Sequence, residues 1–233
     1  MKVIKMLLSN KEQLEELKNI FNIAVQDVAP LSSSTMVDEC WADLKDLYDK
    51  INLNAYHNVN HMMDCILKLD SIEEILYGKI NESLFEIAIL YHDCIYVPGR
   101  TDNEIKSSII ATKMMKCFGF EKSEIKYVTN LIIGNVDDMA YEYNIFRDID
   151  YSILGEHSFT YNEYRKSIEA EFLSIYTYQD YIAGRLKFLV DIMNGIKIFK
   201  TSILGNVFEY RAKINIAEEI EFLKREQRRA KPQ

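Results

Sequence analysis

Apolar residues recur at three- and four-residue spacing along nearly the whole chain, and little interrupts them. Three prolines and eight glycines in 233 residues leave few places for a helix to stop. One stripe, Leu14, Leu17, Ile20, Phe21 and Val25, follows the candidate caps Ser9 and Asn10 and ends before Pro30 and the serines at 32–34. A second helix is predicted around Met36, Cys40, Leu44 and Leu47, a third over Tyr56–Leu69, and a fourth over Leu84–Tyr96. The fourth is apolar nearly throughout, which predicts a central position.

After the Pro98-Gly99 turn, helices are predicted over Asn103–Phe118, closed by Gly119, and Ser123–Ile133. A short one covers Ile145–Leu154 and stops at Gly155. Three more follow, over Thr160–Tyr176, Gln179–Met193 and Asn206–Lys224. No segment shows sustained strand alternation or a hairpin signal, and no repeat or linker is visible. The expectation is one all-α domain, with a bundle core over about residues 36–155 and C-terminal helices over about 156–230 packed on it.

Apolar residues make up 48% of the chain, enough to build a real core. The formal charge of −8 argues against a grip on polymeric nucleic acid, which needs clustered positive charge. A small phosphorylated substrate stays open, because a bound metal inverts the local field. The one basic cluster, Lys224, Arg225, Arg228, Arg229 and Lys231, reads as a solvated helix end. The four cysteines, Cys40, Cys65, Cys94 and Cys117, form no CxxC pair and read as reduced, mostly buried thiols. The opening residues turn polar too soon for a signal peptide, and no run reaches the about 18 apolar residues of a membrane span. A cytoplasmic protein is the expectation.

Histidine is scarce, and three of the four lie in two motifs, Tyr56-His57-Asn58-Val59-Asn60-His61 and Tyr91-His92-Asp93. On a helix, His57 and His61 would share one face. His92-Asp93 falls in the most apolar helix, where an ionised carboxylate needs a cation or strong hydrogen bonds. Read alone, the pair is equally a hydrogen-bonded lock between two helices. Three histidines and an aspartate on two helices are a usual set for a divalent cation. Asp148 and Asp150, among apolar neighbours, add a further acidic pair.

The ordered set His61, His92-Asp93 and Asp150 resembles the HD-domain superfamily of metal-dependent phosphohydrolases, in particular a group of small predicted members. The resemblance runs from about Trp41 to Ile220. It includes Tyr56-His57-Asn58-Val59-Asn60-His61, Tyr91-His92-Asp93-Cys94-Ile95-Tyr96 with Pro98, and Thr101-Asp102-Asn103-Glu104 with Ser107. It continues through Asp148-Ile149-Asp150 with Ile153-Leu154-Gly155, then Gly184-Arg185 and Glu209, Arg211 and Asn215.

The resemblance implies an HD-type helical bundle with additional C-terminal helices, and metal ligands at His61, His92, Asp93 and Asp150. Asp93 is the bridging carboxylate if two metals bind. The Tyr56–His61 stretch also resembles that of class I cyclic-nucleotide phosphodiesterases, which implies His57 as general acid. The implied function is hydrolysis of a phosphomonoester or phosphodiester of a nucleotide-like small molecule, with His57 and Asp93 catalytic. The cofactor is one divalent ion or two, among Mn, Fe, Zn, Ni, Co and Mg. The alternative is a metal- or nucleotide-binding regulatory module with little turnover.

Where relatives place further histidines, this chain reads Ile133-Gly134-Asn135-Val136-Asp137-Asp138. Any second metal would therefore rest on Asp93, with Asp137 or Asp138. Arg100, Asp102, Asn103, Glu104, Asp148 and Arg185 are candidates for substrate contact or an outer shell. Plainer roles compete: helix capping for Asp102–Glu104, an exposed loop position for Arg100, ion pairing for Arg185 and Arg211, and capping for His157.

Overall fold

A computed structural model describes residues 9–50, 55–135 and 139–229. The described residues form ten α-helices and no strand, so the chain is all-α. They are α1 (Asn10–Val28), α2 (Ser34–Lys50), α3 (Val59–Leu76), α4 (Glu82–Tyr91), α5 (Asn103–Cys117), α6 (Lys122–Ile133), α7 (Ala140–Asp150), α8 (Ser158–Phe172), α9 (Tyr178–Met193) and α10 (Ser202–Arg229). A 3₁₀ turn, Tyr151–Gly155, follows α7. No helix of the described residues is long and apolar enough to cross a membrane. Contacts divide the chain into two compact units, Met1–Leu53 with His57–Phe146, and Asn54–Tyr56 with Arg147–Gln233. The dividing line falls inside α7.

In the first unit α1 starts at Ser9, whose side chain accepts from the Glu12 amide while Glu12 reaches back to the Ser9 amide. Helix α2 buries Val37, Trp41, Leu44 and Tyr48. The stripe is turned from the expected Met36, Cys40, Leu44 and Leu47, because Trp41 packs on Phe21 with ring centroids 5.9 Å apart. Helix α4 is central, as its composition predicts. Leu84, Phe85 and every residue from Ile87 to Tyr91 are buried, and α1, α3, α5 and α6 pack against it. Helix α5 ends in the expected glycine. Gly119 takes a left-handed φ of 77°, and the Phe120 amide returns to the Met115 carbonyl at 3.0 Å.

Two helices depart from the predicted bounds at the end nearest the histidine motifs. The third begins at Val59, not Tyr56, because Asn58 caps it by accepting from the Asn60 amide. The fourth stops at Tyr91, so His92 and Asp93 lie just past its end. Helix α10 runs from Ser202 to Arg229, longer at both ends than Asn206–Lys224, and it carries Lys224, Arg225, Arg228 and Arg229. Lys231 lies outside the described residues.

The second unit is tied by buried charge. The Arg185 guanidinium donates to both Glu219 carboxylate oxygens, at 2.9 and 3.2 Å, and to the Tyr164 hydroxyl at 3.1 Å. Tyr161 also donates to Glu219. Asn215 holds the Leu154 and Glu156 carbonyls, each at 2.9 Å, and Arg211 holds the Gly155 carbonyl at 2.9 Å. Gly155 is required there, since a side-chain carbon would come within 2.5 Å of Phe208.

Removing one partner of such a pair strands the other charge in the interior. Arg185→Ala is expected to destabilise the protein by about 3–5 kcal/mol. Arg185→Met paired with Glu219→Leu should recover most of that loss, read as thermal and urea unfolding midpoints.

Candidate metal centre

The site grows from the end of α4. A helix leaves its last carbonyls without internal partners, and here they are buried. Three local groups answer them. The His92 ring donates through Nδ1 to the Ile89 carbonyl at 2.7 Å. The Tyr48 hydroxyl from α2 donates to the Leu90 carbonyl at 3.2 Å, and the Cys94 amide to the Tyr91 carbonyl at 3.2 Å. A carbonyl only accepts, so His92 carries a proton on Nδ1, and Nε2 is the nitrogen turned toward His61 and Asp93. The His92 ring and Phe146 meet in a T-shaped pair, centroids 5.8 Å apart at 88°.

Helix α3 brings His61 to the same place. Its Nε2 lies 3.2 Å from His92 Nε2 and 3.7 Å from an Asp93 carboxylate oxygen, and His92 Nε2 is 3.2 Å from that oxygen. All three side chains are buried. Burial works against the Asp93 charge, but the charge and hydrogen bond of His92, then His57 and His61, outweigh it and hold the carboxyl below its usual range. Two imidazole nitrogens 3.2 Å apart beside a carboxylate are held together by a shared proton or a shared cation.

The dimensions suit a cation. A point equidistant from the three corners lies about 2.0 Å from each, the length of a bond from a divalent transition metal to nitrogen or carboxylate oxygen. Two imidazoles and one carboxylate on three corners are also a recurrent donor set for such ions. Cys65, one turn after His61 on α3, belongs to the same neighbourhood: its sulfur, His61 and His92 each place a ligand atom within 4.8 Å of the others. Buried His61, Cys65 and His92 belong to a group that could hold a metal ion.

His57 stands next to this group but precedes α3, so helical spacing does not explain its position. Its ring stacks on Tyr96, centroids 3.6 Å apart and 17° from parallel, and lies 5.8 Å from the His61 ring. Tyr96 is held through its neighbours. The Ser107 hydroxyl accepts from the Ile95 amide at 3.1 Å and lies 3.3 Å from the Ile95 carbonyl. The Asn103 amide side chain accepts from the Val97 amide at 3.1 Å and donates to the Val97 carbonyl at 3.0 Å. Residues 95 and 97 thus face α5, and Tyr96 between them faces His57.

The other sequence candidates take varied places. Asn103 is buried in the role just given, holding the loop. Arg100 is exposed and pairs with Asp102 at 2.7 Å, and Asp102 also meets Lys106 at 3.2 Å. Asp102 occupies the cap position of α5 without a side-chain cap bond, and Glu104 is exposed in the first turn. His157 likewise sits at the cap position of α8 without a side-chain cap bond.

Asp148 and Arg185 belong to the second unit. Asp148 is fully buried and accepts from the Lys200 and Thr201 amides at 2.8 and 2.7 Å and the Thr201 hydroxyl at 2.8 Å. Asp150 is the last residue of α7, on the same helix face as Phe146 one turn earlier, and is counted with the second unit. Asp137 and Asp138 lie outside the described residues. Cys65 is the residue that reading the cysteines only as buried thiols misses. The signal was present as the four-residue step from His61 to Cys65 on a helix.

Compared with protein-family models, with curated proteins and with solved structures, the chain matches none. The functional reading therefore rests on residues and geometry.

Asn103→Ala removes both part-buried hydrogen bonds to Val97, at about 0.5–1.5 kcal/mol each. The expected result is a lower melting temperature, with changed His57 imidazole resonances as the Tyr96 stack loosens. An unchanged His57 spectrum would show that Asn103 does not position it.

Proposed function

We propose that this protein is a metal-dependent phosphohydrolase of the HD-domain type, acting on a phosphomonoester or phosphodiester of a small, nucleotide-like molecule. The observation that carries the reading is the buried triangle of His61, His92 and Asp93, dimensioned for a cation, with the half-buried His57 ring beside it. Asp150 is taken as a further ligand from the ordered sequence pattern alone.

When bound, a divalent cation supplies Lewis acidity, lowering the pKa of a water and neutralising phosphoryl charge. The chain supplies the rest. His61, His92 and Asp93 would hold the ion, presented by the first turn of α3 and the end of α4. The Ile89 carbonyl fixes which His92 nitrogen faces inward and makes that nitrogen a stronger donor. Hydrolysis joins a water oxygen to phosphorus and releases an alcohol, which must leave with a proton. His57 is the group placed to give that proton, and its stack on Tyr96 sets the plane of its ring.

The test is metal analysis of the purified protein with a panel of phosphate esters. His57→Ala is expected to keep the metal and lower kcat by about 10²–10⁴-fold. His92→Ala and Asp93→Ala are expected to lose both metal and activity. A metal-replete protein that nucleotides stabilise against heat but that releases no product would instead be a binding module. If neither His92→Ala nor Asp93→Ala affects metal content or hydrolysis, the assignment fails.

A further inference from the structure

We infer that Cys65 is itself a ligand of the metal, and that it sets which metal the site takes. The inference rests on the metal-site reading above and adds a donor that the resemblance to phosphohydrolases does not supply.

Helix register brings the sulfur to the site. Four residues separate His61 from Cys65 within α3, which places both side chains on one face. The Cys65 sulfur lies 3.9 Å from each ring nitrogen of His61. It also belongs to the group of ligand atoms, with His61 and His92, that fall within 4.8 Å of one another. A nitrogen at about 2.0 Å and a thiolate at about 2.3 Å from one zinc ion, at or somewhat wider than the tetrahedral angle, stand roughly 3.5–3.9 Å apart. The distance from Nε2 lies at the upper end of that range; the equal distance from Nδ1 sets the sulfur off the Nε2 lone-pair axis, so sharing an ion takes a turn of the Cys65 side chain toward Nε2.

Burial restricts what else the thiol can do. Cys65 is only 3% exposed, so a bulk oxidant or partner thiol does not reach it directly. As a ligand the sulfur loses its proton to solvent when the bond to the metal forms.

The chemical consequence is selectivity. Two imidazoles and a carboxylate accept several divalent ions, Mn²⁺ included. A thiolate shifts the preference toward Zn²⁺, Co²⁺ and Fe²⁺ and away from Mg²⁺ and Mn²⁺, which favour oxygen.

Cobalt reports the donor directly. The full-length protein, freed of metal with a chelator and titrated with Co²⁺, is expected to bind one equivalent. It should show a near-ultraviolet thiolate-to-cobalt charge-transfer band besides the visible bands of the ion. Cys65→Ser should lose the charge-transfer band, and Cys117→Ser, at an exposed cysteine, should keep it. Loss of an outer partner alone costs about 10–100-fold in metal affinity, so Cys65→Ser should weaken Zn²⁺ by at least roughly tenfold and leave Mn²⁺ within about threefold.

One equivalent of cobalt bound by the wild type without the charge-transfer band overturns the role of Cys65 and leaves the metal site standing. So does a band that survives in Cys65→Ser. If the wild type binds no cobalt and no zinc, the metal-site reading falls and this inference with it. Absence of the band from the wild type overturns the role of Cys65 even if the variant fails to fold.

Discussion

A helix buried on every side has to end, and where it ends its last carbonyls face protein instead of water. That constraint governs the first unit. Helix α4 is apolar enough to lie at the centre, so its terminus cannot be solvated, and each free carbonyl must be met by a donor from nearby. His92, Tyr48 and Cys94 meet three of them. The chemistry of the site follows from this. The His92 ring is held because the backbone needs its proton, and the nitrogen left over is the one that faces His61 and Asp93.

The second unit satisfies its backbone in another way, with carboxylates. The amides of Ile198 and Phe199 are taken by Glu209, and those of Lys200 and Thr201 by Asp148. Four successive amides before α10 are therefore bound by two acids. One of them, Asp148, is two residues from Asp150 in the same short motif. Burial pushes the Asp148 carboxyl up, and the donors from Lys200 and Thr201 act against that shift. An aspartate with three donors already placed on it serves the fold.

Much of this was legible in the sequence. The helical class, the central place of α4, the capping serine before α1 and the glycine after α5 all follow from spacing and local chemistry. The sequence pattern groups His61, His92 and Asp93, and the three side chains lie together. What the sequence concealed was local termination. A run that stays apolar through Tyr96 gives no sign that the helix ends at Tyr91, because the cause is long-range: Tyr48, more than forty residues earlier, supplies a donor at that point. Asn58 concealed the start of α3 in the same way, reading as a helix residue when it is the cap. Asn103 resembled a capping or mouth residue, and its bonds to Val97 become visible only once the loop is folded against α5.

The hold of α5 on that loop has the form of a strand pairing made with side chains. Asn103 and Ser107, one turn apart, each engage the amide and the carbonyl of one residue, and the residues they engage are two apart. The loop is thus registered in steps of two, like an edge strand, with the helix serving as the neighbouring strand. Parity in this stretch then has a meaning that composition does not reveal. A change of sequence that keeps Tyr96 but shifts the chain by one residue would turn the aromatic toward α5 and bring a backbone-facing position toward His57. The count of residues between Asp93 and Asn103 is as much a part of the site as their identity.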